Sequence, residues 1–307
     1  MTRETTPAIV RTIAELRQRI RAYRRTASAD ATVGFVPTMG YLHEGHASLM
    51  QRSVQENGLT VLSIFVNPLQ FGPNEDLARY PRDEKRDVAL AANCGVDIVF
   101  LPSVEEMYPD YPLLTTVSVS SVSEHLCGAS RPGHFDGVAT VVAKLFHIVQ
   151  PDRAYFGLKD AQQVAVIAQM VKDLSIPVEI VPCPIVREQD GLALSSRNVY
   201  LSAEEREQSL ALSQSLAKAE QWIAEGATAK ELAKKLAEDI RQAPSADIDY
   251  VEIVDYPGMQ PMTGDGPLSE YKDNVLIALA VRFGRTRLID NRIVHPTEAG
   301  DLLCSAK

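Results

Sequence analysis

The chain has 307 residues, 45% of them hydrophobic and 23% charged, an ordinary globular composition long enough for about two domains. Lys and Arg number 31 against 40 Asp and Glu, a net charge of −9, which excludes a general basic footprint for nucleic acid or an anionic membrane. Cys94, Cys127, Cys183 and Cys304 lack CxxC spacing, so neither a zinc site nor a disulfide framework is indicated. No apolar run reaches the ~18 residues of a membrane span. The Met1-Thr-Arg-Glu start has no signal-peptide core, and the expectation is a soluble cytoplasmic protein without nucleic-acid or membrane partners.

Ile9 to Tyr23 predicts an amphipathic helix, with Ile13, Leu16 and Ile20 on one side and arginines on the other. Short apolar runs then predict strands at residues 33–36, 61–66, 98–101, 117–119, 154–156 and 178–181. Helical patterns fall between them at residues 47–56, 83–93, 137–149 and 161–173. Strands apolar on both faces and alternating with helices imply a mostly parallel sheet covered on both sides. Pro182 and Pro184 break this pattern. Ser202-Ala-Glu-Glu then caps a long helix reaching Gly226, and a second helix covers residues 229–241. Strands at 250–254 and 275–281 complete a separate α+β unit. The expected division is residues 1–183 and residues 184–307.

In an open parallel sheet ligands bind beyond the carboxyl ends of the strands, and the informative motifs sit there. Pro37-Thr-Met-Gly-Tyr-Leu-His-Glu-Gly-His closes a strand, turns at Gly40 and brings His43 and His46 to a helix start. Unpaired N–H groups and the helix dipole make such a terminus an anion site, and the two rings add donors on one helical face. A charged imidazole gains from a negative ligand. The expected occupant is an ATP phosphate chain. Structural capping and a metal site completed by Glu44 or Asp160 are the competing readings, and the zincin spacing is absent. Asn67 and Gln70 end the next strand, where neutral amides can hold a hydroxyl or carboxylate. Arg131 and His134, in Arg131-Pro-Gly-His-Phe, can meet an anion or belong to a surface loop.

Phe156-Gly-Leu-Lys-Asp-Ala-Gln-Gln sets Gly157 after a strand, Asp160 at a helix cap and Lys159 beside it. A cation at a helix N-terminus opposes the dipole, and a bound anion supplies the reason for it. Gln163 lies one turn on. Leu194-Ser-Ser-Arg-Asn offers two hydroxyls and a guanidinium, as a phosphate clamp or as a hinge loop. No Walker A, GxGxxG or GxSxG pattern occurs, which removes support from P-loop, dinucleotide-binding and α/β-hydrolase readings.

Together these motifs, with Phe65-Val-Asn-Pro-Leu-Gln-Phe and Gly191-Leu-Ala-Leu-Ser-Ser-Arg-Asn, resemble the pantothenate synthetase (pantoate–β-alanine ligase) family in order and spacing over almost the whole chain. The resemblance implies an α/β fold: a Rossmann-like parallel-sheet domain binding ATP and pantoate, and a smaller C-terminal α+β lid domain. It also places the chain in the wider nucleotidyltransferase group whose HxGH element binds ATP; here that element is His43-Glu-Gly-His46. The implied reaction joins pantoate to β-alanine through pantoyl-adenylate, releasing pyrophosphate and AMP, in the coenzyme A pathway. The implied catalytic residues are His43, His46, Lys159 and Arg197, with His46 the assigned proton donor. Pro37, Met39, Gly157, Asp160, Val186, Leu194, Ser195 and Ser196 join them in the implied ATP site. Asn67, Gln70 and Gln163 are implied for pantoate, with Gln70 also near β-alanine. Mg²⁺ is implied as bound mainly through ATP oxygens, without a protein metal site, and a homodimer is expected. Leu158 stands where many members have Glu, Leu194 where some have Met, and Tyr41 at a variable position; these read as wall residues. Two alternatives remain beside the ligase: an adenylyltransferase that leaves AMP on its product, which would call for more cations near the amides, and a nucleotide-sensing module without turnover.

Overall fold

The computed structural model describes residues 6–28, 30–73 and 75–296. Cys304 and the outer ends of the two expected domains, residues 1–5 and 297–307, lie outside them. The described residues group into two compact units. One comprises the chain up to Val119, Arg131–Leu158 and Val166–Val186; the other comprises Ser120–Ser130, Lys159–Ala165 and the chain from Arg187.

The first unit opens with β1 (Ala8–Val10), α1 (Ile13–Thr26), β2 (Val33–Thr38), α2 (Glu44–Glu56), β3 (Leu59–Ile64), α3 (Glu84–Asn93), β4 (Ile98–Phe100) and α4 (Val104–Met107). After α5 (Cys127–Ser130), which belongs to the second unit, come α6 (His134–Val149), β5 (Arg153–Gly157), α7 (Ala161–Asp173), whose residues up to Ala165 group with the second unit, and β6 (Glu179–Cys183). The six strands are all parallel, in the order β1-β4-β3-β2-β5-β6. Without the edge strand β1 this is a Rossmann-like order, whose direction of winding reverses between β2 and β5. On one face Val36, Leu62 and Val99 pack with Leu49, Met50 and Ala91 of α2 and α3. Gly34 lets α2 lie close on β2, because a Cβ there would strike the Ser53 hydroxyl and the Asn57 amide.

Two expectations change here. Ala8–Val10 is a strand paired with β4, and the helix begins later, after Thr12, whose Oγ1 accepts the Glu15 N–H at 3.3 Å. The β-branched Ile9 and Val10 suit the sheet better than a helix start. Residues 117–119 form no strand; the Val117 N–H instead donates to Thr140 Oγ1 on α6 at 2.9 Å.

The second unit carries α8 (Ala203–Gln208), α9 (Ala211–Ala224), α10 (Ala229–Ile240) and the antiparallel sheet β7 (Ala246–Asp255), β8 (Val275–Phe283) and β9 (Thr286–Val294). Leu212, Leu216 and Ile223 of α9 and Leu232, Leu236 and Ile240 of α10 pack with Ile277, Leu279 and Val281 of β8. The long helix expected from Ser202 is two. Ser202 and Glu205 form the expected capping box, but the Ser209 hydroxyl donates to the Arg206 carbonyl at 2.7 Å and the Leu210 and Leu212 N–H groups bond three residues back. Strand β9, for which the sequence analysis names no element, carries several charges. They are paired: Asp290 with Arg187 at 2.7 Å, Arg287 with Asp249 at 2.8 Å and Arg292 with Glu220 at 2.6 Å.

Candidate active site

The segment leaving β2 leads into α2. His43 is the N-cap of α2. The Gly45 N–H donates to Nδ1 of His43 at 3.2 Å, and the His43 N–H donates to Nδ1 of His46 at 3.3 Å. The rings stand 4.1 Å apart between centroids. An imidazole that accepts at Nδ1 turns its Nε2 end outward as the donor, so the two caps orient both rings alike. An imidazolium has no lone pair left for the backbone.

The turn before them is clamped from α3. The Tyr41 N–H donates to Asp87 Oδ2 at 2.8 Å and the Leu42 N–H to Asp87 Oδ1 at 2.7 Å. Asp87 is 1% exposed, and burial pushes its carboxyl up against the lowering effect of those two bonds. Gly40 has φ +85° and faces Ile64 and Asp87 where a Cβ would project. Tyr41 also has positive φ, at 51°, and Arg86 lies 4.9 Å over its ring. The Gly40 N–H donates to Thr38 Oγ1 at 3.3 Å. The N–H groups of residues 40–43 and of Gly45 are thus bonded within the protein.

Asn67 and Gln70 meet at the end of β3. Asn67 Nδ2 donates to Gln70 Oε1 at 3.2 Å and to the Gly137 carbonyl at 3.1 Å. Asn67 Oδ1 accepts from Leu69 N–H at 3.3 Å and from the Tyr108 hydroxyl at 2.8 Å. Gln70 Nε2 approaches Met39 Sδ at 3.0 Å. Asn67 thus supports Gln70 from behind. Behind them, Arg131 holds Glu75 with two bonds of 2.6 Å and donates to the Gln70 carbonyl at 3.2 Å. His134 donates from Nδ1 to that same carbonyl at 2.8 Å and accepts from Arg131 at Nε2, 2.9 Å away. Burial pushes the Glu75 carboxyl up, but the bonds and charge of Arg131 outweigh it, and Glu75 sits below the usual carboxylate range. The open choice for Arg131 and His134 resolves into a scaffold for the Gln70 turn. Pro37, Gly157 and Val186 are half-buried, and Gly157 closes β5 beside β2 in the sheet.

In the second unit Lys159 occupies the turn Leu158–Asp160 ahead of α7, with Nζ 3.6 Å from Asp160 and its carbonyl accepting from Asn291 Nδ2 at 2.8 Å. Gln163 is half-buried on α7. Its neighbour Gln162 is the structural amide: it donates to the Val122 and His125 carbonyls at 3.1 and 2.7 Å and accepts the Cys127 N–H at 3.0 Å. Ser195 caps the turn Ser196–Tyr200, accepting the Arg197 N–H at 3.3 Å, next to a half-buried Leu194. Asp87, Tyr108 and Glu75 escaped the sequence reading. Asp87 left a trace there, an acid on the stripe shared with Ala91 and Cys94.

A family model described as "Pantoate-beta-alanine ligase" matches residues 8–293. A "Pantothenate synthetase" of Acetivibrio thermocellus is 57% identical over 288 residues, 94% of this chain and 99% of its own. The crystal structure of a pantothenate synthetase from Thermus thermophilus superposes with a TM-score of 0.83 at 47% identity, covering 94% of this chain and 99% of the other. A pantoate-beta-alanine ligase from Francisella tularensis, complexed with beta-gamma ATP and beta-alanine, gives 0.74 at 34% identity with the same coverage. The Rossmann-like sheet, the HxGH helix start and these likenesses agree: the chain belongs to the pantoate-beta-alanine ligase family and is a ligase.

Proposed function

We propose that the protein makes pantothenate in two steps at the carboxyl ends of β2, β3 and β5. A pantoate carboxylate oxygen attacks the α-phosphorus of ATP, and pyrophosphate leaves. The amine of β-alanine then attacks the acyl carbon of pantoyl-adenylate, loses a proton, and AMP departs with the former carboxylate oxygen. The observation that carries this reading is the reciprocal His43–His46 cap, which orients two ring N–H donors for phosphate oxygens. His46 acts in this reading by hydrogen bonding as charge builds on the phosphates; an imidazolium proton at Nδ1 would break its cap.

Lys159 and Arg197 supply charge, and Ser195 and Ser196 supply hydroxyl contacts. Pro37, Met39, Gly157, Asp160, Val186 and Leu194 form walls. Asn67, Gln70 and Gln163 form the pantoate subsite, Asn67 from behind Gln70, and Gln70 also lies near β-alanine. The proposal keeps residues 1–183 as the ATP and pantoate domain and residues 184–307 as the lid. Catalysis is positioning and charge stabilisation, without an enzyme nucleophile. Among the described residues no three His, Cys, Asp or Glu side chains converge on a point. In this reading Mg²⁺ would be carried on ATP oxygens, where it would offset phosphate charge. The reading extends to a homodimer in the cytoplasm; among the described residues no helix is long and apolar enough to cross a membrane.

The test uses pantoate labelled with ¹⁸O in its carboxylate, with ATP, Mg²⁺ and β-alanine. One label is expected in AMP. ADP in place of AMP, or unlabelled AMP, defeats the adenylate route, and AMP retained on the product revives the adenylyltransferase alternative.

A further inference from the structure

Asn67 is 1% exposed and Tyr108 is 2% exposed. All the hydrogen-bonding capacity of the Asn67 amide is used, and its partners fix which end is which. Tyr108 can reach Oδ1 only as a donor if that oxygen also accepts from Leu69 N–H, and Nδ2 faces two oxygens, those of Gly137 and Gln70. A flipped Asn67 would set its NH₂ against the Leu69 N–H and its oxygen against the Gly137 carbonyl. The same logic passes to the next amide. Gln70 Oε1 faces the Asn67 NH₂, so Gln70 Nε2 is the end that remains for another partner, and it lies 3.0 Å from the Met39 thioether. A thioether is a weak acceptor that a substrate oxygen can replace.

We propose that Tyr108 is a positioning residue for pantoate: its hydroxyl starts a one-way relay, Tyr108 to Asn67 to Gln70, that ends on a Gln70 N–H donor and so selects an acceptor oxygen of the acid substrate. This rests on the functional reading above. The relay explains why a buried tyrosine stands behind the turn without itself reaching the substrate-binding amide. Its ring is held independently, edge-on to Phe65 at 5.7 Å between centroids and under Lys144, whose Nζ lies 5.6 Å from the ring centre. Removing the hydroxyl therefore leaves the ring packing in place. It removes the shorter of the two bonds to Asn67 Oδ1 and leaves that amide held by the Leu69 N–H and the Gly137 carbonyl alone, so the Gln70 donor that leans on it is less firmly fixed.

The experiment is steady-state kinetics of wild type, Tyr108→Phe and Gln70→Glu with pantoate, β-alanine and ATP varied in turn. The expected result for Tyr108→Phe is a pantoate KM raised by roughly tenfold, the scale of one net hydrogen bond, with the ATP KM unchanged. A merely structural role would lower thermal stability without splitting the two KM values. Gln70→Glu keeps an acceptor for Asn67 but turns the substrate-facing donor into an oxygen, and its pantoate KM is expected to rise at least as far. It also tests the polarity should Tyr108→Phe not fold. A pantoate KM within twofold of wild type in either folded variant overturns the relay. A wild-type protein that forms no pantothenate overturns the functional reading itself, which the wild-type control reveals before any variant is compared.

Discussion

Gly137→Ala is the most discriminating single substitution. Gly137 lies in the first turn of α6, where alanine is ordinarily better than glycine by about 1 kcal/mol. Here a Cβ would stand 2.5 Å from the Leu69 carbonyl carbon and 2.7 Å from the Gln70 nitrogen, and nearer still to the Leu69 oxygen. Ordinary Cβ contacts begin at 3.4 Å, so the Asn67–Gln70 turn must retreat by about 1 Å. These are backbone atoms, and the turn is held by Asn67, Arg131 and His134, so no flexible side chain absorbs the shift. Overpacking of this kind costs about 1–3 kcal/mol, which reverses the helix-propensity gain. A displacement near 1 Å at a substrate-holding group costs on the order of 10²-fold in rate. The assay pairs thermal unfolding with kcat/KM for pantoate. Both are expected to fall. A raised Tm with unchanged kinetics would show that the helix does not abut the turn, and the reasoning would fail.

His46→Ala should slow pyrophosphate release about 10²- to 10³-fold, the usual effect of deleting one preorganised donor, read by a coupled phosphate assay. Near-normal release refutes the assigned role. Asp87→Asn leaves one acceptor oxygen for the Tyr41 and Leu42 N–H groups and sets its NH₂ against the other, a penalty of about 1–3 kcal/mol. The ATP KM should rise more than the pantoate KM, and equal effects would show that the turn does not serve the nucleotide. Glu75 sits below the usual carboxylate range in the folded protein, so the unfolded chain binds its proton first as pH falls. Its contribution is complete above about pH 4.5 and is lost as pH drops through the depressed value. Tm measured from pH 3 to 6 should therefore fall less steeply toward acid in Glu75→Gln than in wild type, and parallel curves would count against the pair.

Where chemistry and periodicity coincide, the sequence is readable. The alternation of apolar runs and helical stripes gives the parallel sheet and both layers, because each element's own pattern reports its burial. The two histidines stand out because they cluster at a glycine-marked helix start. What patterning misses are groups whose meaning depends on distant partners. Strand β9 looks polar until Asp290, Arg287 and Arg292 meet counter-charges more than 30 residues away. Asp87 lies 45 residues from the N–H it accepts at Leu42, and Tyr108 lies 41 from Asn67. Asn67 was legible as part of the site, but its rank within it was not, since the census of its four bonds needs the folded chain. The helix break at Ser209 turns on one hydroxyl choosing a carbonyl, which propensity averages away.

The outer strands of the large sheet have a bearing on solubility. An open sheet invites a second molecule to add its own strand wherever a margin shows unpaired amides. One margin here, β1, is three residues long, too short a template to hold a stranger in register. The other, β6, contains Pro182, which has no N–H to offer, and bears the exposed Glu179. Both margins of the larger sheet are thus poor templates for an added strand.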